Sequence, residues 1–405
     1  PWALYEATGS LDVLRMMYPT MQKYVKACCF WAGFGIGKHR YIWHTPSVLH
    51  FGDWVAPDVP KMSQWQARSK YTATASLCNT SGTLAKIARI LGKTEDAAKY
   101  KELSRKVADA YCSVLTDGNG KTKEEFQTAY VLPLYLNMFP ENVKAKAAEN
   151  LVKLVEKNDY KIGTGFPGTP YILFALADNG HADTAYKMLL NTQCPSWLYE
   201  VKMGATTIWE RWNSICPDGS FNPANMNSLN HYAYGSIGSW LYTKLCGLEI
   251  LEPGYKKFAL RPQFIKGITH AELTYESVYG KIAIAWRCEG GKITVDATIP
   301  ANTTAELTLP EQSETLTLGS GSYRYEYATE TSLKIDRYSL ETPLHIILEH
   351  PAAQAIFAQY APEFLSNPML EYVKNEPVTA LLAYGDSIKP LFEQVLAVMN
   401  QADKE

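Results

Sequence analysis

No stretch of this chain stays apolar for the roughly 18 residues that a membrane-spanning helix needs, and no charged-then-apolar leader precedes the first helical pattern. The sequence therefore offers no membrane anchor. Nor is any run of Lys or Arg dense enough to neutralise many phosphates: 39 basic and 41 acidic residues are spread along 405 positions for a net charge of −2. Nucleic acid is excluded as the expected partner. Cys28, Cys29, Cys78, Cys112, Cys194, Cys216, Cys246 and Cys288 are scattered without CxxC pairs, several of them inside apolar helical patterns. That spacing argues against a metal site or a disulfide framework and for free thiols in a reducing, cytoplasmic compartment. Nothing calls for a cofactor, and the oligomeric state stays open. The first residue is Pro1 rather than Met, so the expectation is that the natural start, with any export signal, lies upstream.

What is abundant is aromatic. The chain has 10 Trp and 26 Tyr, many beside Gly, Asp or Glu in loop-like segments. Sugar rings present flat C–H faces that stack on aromatic rings, so this bias suits a carbohydrate cleft; it suits a large core equally well. The length allows two or three cores.

Apolar spacing is helical over residues 1–251. Leu11, Leu14, Tyr18, Met21 and Val25 mark one face of a first helix, and the period predicts seven more near 64–91, 94–115, 124–139, 141–157, 169–178, 181–191 and 228–246. Leu91-Gly92 and Asn179-Gly180 supply stops, and Thr94 with Glu95-Asp96 supplies a start. Short links imply antiparallel helical hairpins. The longer connections 33–61, 160–168 and 194–227 are rich in Gly, Pro and Trp, the places where function sits on a helical scaffold. After Pro253 the period becomes two, with short strands near 258–260, 271–275, 281–286, 293–299, 305–309, 315–318 and 323–327, which predicts an antiparallel β-sandwich over 252–340. Residues 341–405 return to Pro-punctuated amphipathic helix, a small helical appendage. The fold class is multidomain, α then β.

The densest unusual run is Pro195-Ser196-Trp197-Leu198-Tyr199, then Gly204-Ala205-Thr206-Thr207-Ile208-Trp209-Glu210-Arg211-Trp212, then Ser228-Leu229-Asn230-His231-Tyr232. One carboxylate stands between two indoles shortly before a His. In an apolar wall Glu210 can be desolvated and poised as acid or base while indoles hold a pyranose. Equally, Glu210 can pair with a neighbouring Arg on an exposed turn while Trp209 and Trp212 pack a core. His231 reads as a sugar-hydroxyl donor or as a satisfied structural histidine. In Phe51-Gly52-Asp53-Trp54 a Gly-Asp turn presents an indole, either as a stacking platform with a hydroxyl acceptor or as an Asx-turn before a buried Trp. Phe166, between the glycines of Thr164-Gly165-Phe166-Pro167-Gly168, is a cleft rim or a helix-entry turn.

The order GDWVAP, TGFPGTPY, DNGHADTAY, PSWLYEVKMGATTIWERW and MNSLNHYAYGSIGSWLY resembles the bacterial α-L-rhamnosidases of glycoside hydrolase family 78, from about Trp2 to Pro310. The resemblance implies an (α/α)6 toroid of helices with a C-terminal β-sandwich, and hydrolysis of terminal α-L-rhamnose with inversion. By motif it implies Glu210 as general base, His231 as a substrate contact near that base and Trp54 as a rhamnose-stacking residue. Asp53, Trp209, Phe166 and Trp212 follow as further cleft candidates by position. In an inverting enzyme two carboxyls stand about 6.5–9.5 Å apart to admit the attacking water, the base ionised and the acid protonated.

The family's acid belongs to an Arg-Asp-Glu-Arg-like motif upstream of the Trp2–Tyr5 region. The expectation is therefore an incomplete toroid of eight helices with an apolar flank exposed, and little hydrolysis by the chain alone. Asp53, Asp58, Glu200 and Asp218 remain as substitute acids that nothing matches to the role. Gly9-Ser10 replaces the family's Gly-Asp, a change that leaves a capping residue in place. Two other functions stay open: another inverting toroid enzyme of trehalase-like or disaccharide-phosphorylase-like type, and a non-catalytic rhamnose-binding module.

Overall fold

A computed structural model describes residues 1–32, 35–44, 50–224, 226–333, 338–374, 376–382 and 385–402. Parts of the 33–61 and 194–227 connections, namely 33, 34, 45–49 and 225, lie outside them. The chain divides into two compact units, Pro1–Leu333 and Lys334–Glu405. No helix among the described residues is long and apolar enough to cross a membrane.

The first unit begins with α1 (Trp2–Thr8), α2 (Asp12–Ala32), α3 (Met62–Ala67), α4 (Ser69–Ile90), α5 (Thr94–Leu115), α6 (Gln127–Tyr135), α7 (Glu141–Lys157), α8 (Ile172–Ala177), α9 (Ala182–Leu189), α10 (Trp197–Lys202) and α11 (Ile237–Trp240). Helices α4 and α5, α6 and α7, and α8 and α9 pack as consecutive pairs. The turns after α4 and α8 place Gly92 and Gly180 at positive φ, where a residue without Cβ ends a helix cheaply. α5 starts at Thr94 as expected, but no side chain caps it. Asp96 instead accepts from Tyr18 Oη at 2.8 Å and Gln22 Nε2 at 3.0 Å, tying α5 to α2.

Three predicted helices differ, each for a local reason. The 64–91 pattern breaks at Arg68, because the Trp65 carbonyl accepts from both Arg68 N and Asp53 N and so ties the neighbouring Asp53 turn into the helix. The 124–139 pattern shortens to α6, which contains Pro133 and its missing amide. Residues 228–231 never enter a helix: their backbone pairs with 208–210, and only a 3-10 turn (Ala233–Ser236), α11 and a π turn (Leu241–Leu245) follow. α1 and α10 were not anticipated; Ser196 caps α10 by accepting from Tyr199 N at 3.1 Å.

Eight strands follow: β1 (Leu248–Glu252), β2 (Lys257–Leu260), β3 (His270–Ser277), β4 (Gly280–Glu289), β5 (Lys292–Ile299), β6 (Thr304–Thr308), β7 (Thr315–Leu318) and β8 (Gly321–Ala328). They form two sheets, ordered β1-β2-β6-β7 and β3-β4-β5-β8. Strict alternation buries Ile282, Ile284, Trp286 and Cys288 on β4 against Ile293, Val295, Ala297 and Ile299 on β5. β1 lies before the predicted change of period, and β2 pairs with β6 in parallel, the remaining ladders being antiparallel. The β3–β5 meander of the other sheet serves as the crossover that a parallel pair requires. Trp286 Nε1 donates to Leu245 O at 2.8 Å and continues the sandwich core into the helical region.

The second unit contains α12 (Leu344–Glu349), α13 (Pro351–Tyr360), α14 (Pro362–Leu365), α15 (Leu370–Val373), α16 (Val378–Leu382) and α17 (Lys389–Ala402) around Phe357, Phe392, Val395 and Met399. All eight cysteines are free thiols.

Candidate active site

The strap 207–210 determines the site. It is held along one edge by residues 228–231: Glu210 N donates to Ser228 O at 2.9 Å and His231 N to Ile208 O at 2.8 Å. The Thr207 hydroxyl adds a bond to Leu229 O. This short antiparallel pairing sets Glu210 and His231 side by side. The Glu210 carboxylate is half-buried, accepts from Ser228 N at 3.3 Å and forms no ion pair among the described residues. His231 Nδ1 accepts from Ala233 N at 3.3 Å, which leaves Nε2 as the nitrogen directed elsewhere.

Phe166 stacks on His231 with centroids 5.0 Å apart and 27° between planes. Its backbone amide donates to Trp54 O at 2.9 Å, so the Phe166 turn and the Trp54 turn are one structure. Two glycines make that approach possible. A Cβ on Gly165 would stand 2.4 Å from Trp54 O, and one on Gly52, at φ +69, would stand 1.9 Å from Trp65 O. Trp54, half-buried, packs between Phe51 at 4.8 Å and Trp65 at 5.3 Å. Trp65 in turn lies under the Arg211 guanidinium at 5.7 Å, which links this aromatic group to the residue after Glu210.

Glu210, His231, Trp54 and Phe166 are thus gathered with accessible surface. Asp53, Trp209 and Trp212 are placed otherwise: they are 0%, 2% and 2% exposed, covered by this chain's own core. Asp53 is a hub. Its carboxylate accepts from Arg68 Nη1 at 3.1 Å, Thr128 Oγ1 at 2.9 Å and Gly165 N at 3.0 Å. Burial pushes its pKa up to about 6 against the pull of Arg68 and Thr128. Trp212 stacks on Tyr234 at 3.9 Å and meets Trp197 edge-on at 5.5 Å, a wall behind the site. The Tyr234 hydroxyl donates to Val55 O at 3.3 Å, and burial, with Asp53, Glu200 and Glu210 nearby, holds that phenol well above its ordinary pKa.

The four substitute acids are occupied elsewhere. Asp58 takes a two-pronged bond from Arg68 at 2.8 and 2.7 Å; Asp218 sits on an exposed turn and accepts from Ser220. Asp53 and Glu200 are buried. Arg68, Thr128, Trp65 and Tyr234 are the residues that sequence reasoning missed. Tyr234 lies inside the MNSLNHYAYGSIGSWLY string, whereas Arg68 is one charge in the polar stretch Ser63-Gln64-Trp65-Gln66-Ala67-Arg68-Ser69-Lys70 and carries no signal of its own. A cavity of about 1020 Å³ lined by Trp2, Met21, Tyr24, Leu84, Tyr135 and Tyr171 shares no residue with this cluster. Among the described residues no group of three or more His, Cys, Asp or Glu gathers to hold a metal.

Residues 1–245 match the bacterial alpha-L-rhamnosidase 6 hairpin glycosidase domain, and residues 247–324 match the bacterial alpha-L-rhamnosidase C-terminal domain. This chain belongs to the bacterial α-L-rhamnosidase family. It is 37% identical over 317 residues to an alpha-L-rhamnosidase of Streptomyces avermitilis, covering 76% of this chain and 28% of that protein. It is 35% identical over 328 residues to one of Formosa agariphila, covering 80% and 34%. The chain therefore spans about a third of the length of these curated rhamnosidases. Among solved structures, the Aspergillus terreus α-L-rhamnosidase superposes with TM-score 0.73 at 34% identity, over 80% of this chain and 38% of that one. The S. avermitilis enzyme complexed with L-rhamnose gives 0.71 at 33%, over 81% and 32%.

Proposed function

We propose that this chain carries the general-base half of an inverting α-L-rhamnosidase centre acting on terminal α-L-rhamnosyl bonds of plant glycosides or polysaccharides. The observation that carries the reading is the placement of Glu210: half-buried, free of any ion pair among the described residues, and held by backbone pairing beside His231, with Phe166 and Trp54 on the adjoining turns. Glu210 takes a proton from water as the water oxygen bonds to C1. The C1–O bond to the leaving group breaks on the opposite face, and a carboxylic acid protonates the departing oxygen. Trp54 offers its ring face to the sugar and His231 a hydrogen bond to a hydroxyl. That Asp53, Asp58, Glu200 and Asp218 are engaged or buried supports the reading that the acid comes from the family's Arg-Asp-Glu-Arg-like motif rather than from any of these four. Supporting the substrate is the family's name, together with the L-rhamnose held by the S. avermitilis relative.

The test uses the longest natural polypeptide containing this chain and an aryl α-L-rhamnoside. Glu210→Gln is expected to lower kcat by about 10²–10⁴-fold, the range for losing a general base, while NMR of the wild-type reaction shows β-L-rhamnose as the first product. Activity that survives the substitution defeats the assignment. Binding of L-rhamnose without turnover by the natural polypeptide supports the non-catalytic reading instead.

A further inference from the structure

The backbone of the strap that carries Glu210 has two edges. One is paired with 228–231, as Glu210 N and His231 N show. The alternation of an extended segment turns the Trp209 amide to the other edge, where no strand runs. There it meets a side chain: Trp209 N donates to Glu200 Oε2 at 3.2 Å. Glu200 lies in α10, nine positions earlier, and its own carbonyl accepts from Ala205 N at 3.0 Å, closing the turn between that helix and the strap. Glu200 is 2% exposed, and its Oε1 has no hydrogen-bond partner among the described residues.

We propose that Glu200 is a positioning residue for Glu210: its buried carboxyl, bonded to the Trp209 amide, stands in for a missing strand and fixes the strap one peptide before the base. This rests on the reading of Glu210 as the base. A carboxylate with one oxygen unpartnered in an apolar enclosure would be costly, and no basic side chain opposes that cost. The titratable groups that sense Glu200 are Cys194 and Tyr234, both neutral near neutral pH because burial raises them. Burial accordingly raises Glu200 to about 8, with the Trp209 bond opposing. A carboxyl so enclosed cannot reach a leaving group, which separates its role from that of the acid. Its charge, when it forms above about pH 8, appears beside the strap without a counter-ion among the described residues, and the bond from Trp209 N then becomes charge-assisted.

The experiment labels the tryptophans of this chain with ¹⁵N and follows the Trp209 backbone amide, assigned through Trp209→Phe, across pH. In the wild type that resonance is expected to titrate with a midpoint near 8. In Glu200→Gln, which keeps a neutral carbonyl acceptor, it stays at the wild-type neutral-pH position and does not titrate. In Glu200→Ala the amide loses its protection against hydrogen exchange. Calorimetry with L-rhamnose accompanies it: Glu200→Gln binds as the wild type, and Glu200→Ala binds about tenfold more weakly, the loss of one buried hydrogen bond. An amide that ignores pH in the wild type, or keeps its protection in Glu200→Ala, overturns the proposal. If Glu200→Ala does not fold, the comparison of wild type with Glu200→Gln decides alone. Absence of rhamnose binding in the wild type counts against the rhamnosidase reading and leaves the amide measurement to decide the Glu200 tie.

Discussion

By its sequence Asp53 is a candidate for a sugar hydroxyl; in the fold it is buried and holds three donors of this chain. Its partners Arg68, Thr128 and Gly165 stand 15, 75 and 112 positions away, distances no local pattern reports. What the sequence did show was the turn itself, GDW, and the indole at its tip; the carboxylate that closes the turn onto α3, α6 and the Phe166 loop became visible only in three dimensions. Asp53→Asn leaves one carbonyl oxygen to meet three donors and turns an NH₂ group toward one of them. The expected cost is about 3–5 kcal/mol, as for breaking a buried ion pair from one side, measured by urea unfolding followed through tryptophan emission; a loss under about 1 kcal/mol, the level of an exposed pair, would refute the hub. The pH dependence has a definite sign. The folded carboxyl binds its proton more tightly than the unfolded one, so this site's contribution falls as pH rises from 3.8 to about 6. That slope is absent in Asp53→Asn.

Among the elements, those with an uninterrupted period were legible: α4, α5, α7 and α9 by their 3.6-residue spacing, β4 and β5 by alternation. The illegible ones lie where backbone bonds are spent on the site. Residues 228–231 open a stretch of helical apolar spacing, yet their N–H and C=O groups serve the Glu210 strap; Arg68 interrupts α3 and α4 where Asp53 N takes the Trp65 carbonyl. Gly165 marks the same economy on the facing turn. In Gly165→Ala the new methyl group meets Trp54 O at 2.4 Å and Asp53 O at 2.6 Å, both backbone atoms that cannot swing aside. The variant is expected to lose about 1–3 kcal/mol of stability, the range for overpacking, and to weaken L-rhamnose binding through displacement of Phe166 and Trp54. Calorimetry checks it; wild-type affinity together with wild-type stability would show that the close approach is dispensable.

At the scale of the whole molecule, the two compact units carry separate cores, and their spectroscopic signals differ. All ten tryptophans fall within residues 1–333, whereas the Lys334–Glu405 unit has none. Its core is built on Phe357, which is fully buried and packs against Phe364 at 5.2 Å and Phe392 at 5.5 Å. Removing that ring leaves a cavity in the middle of this small core, at a cost of about 3–5 kcal/mol. Phe357→Ala is therefore expected to lower the thermal midpoint of a helical transition seen by circular dichroism while the tryptophan-emission transition stays where it is in the wild type. The Trp209 amide, on the other unit, should keep its protection in the same variant. A coincident shift of both transitions would mean that the two cores unfold as one, and that the helical unit contributes to the stability of the wall behind Glu210.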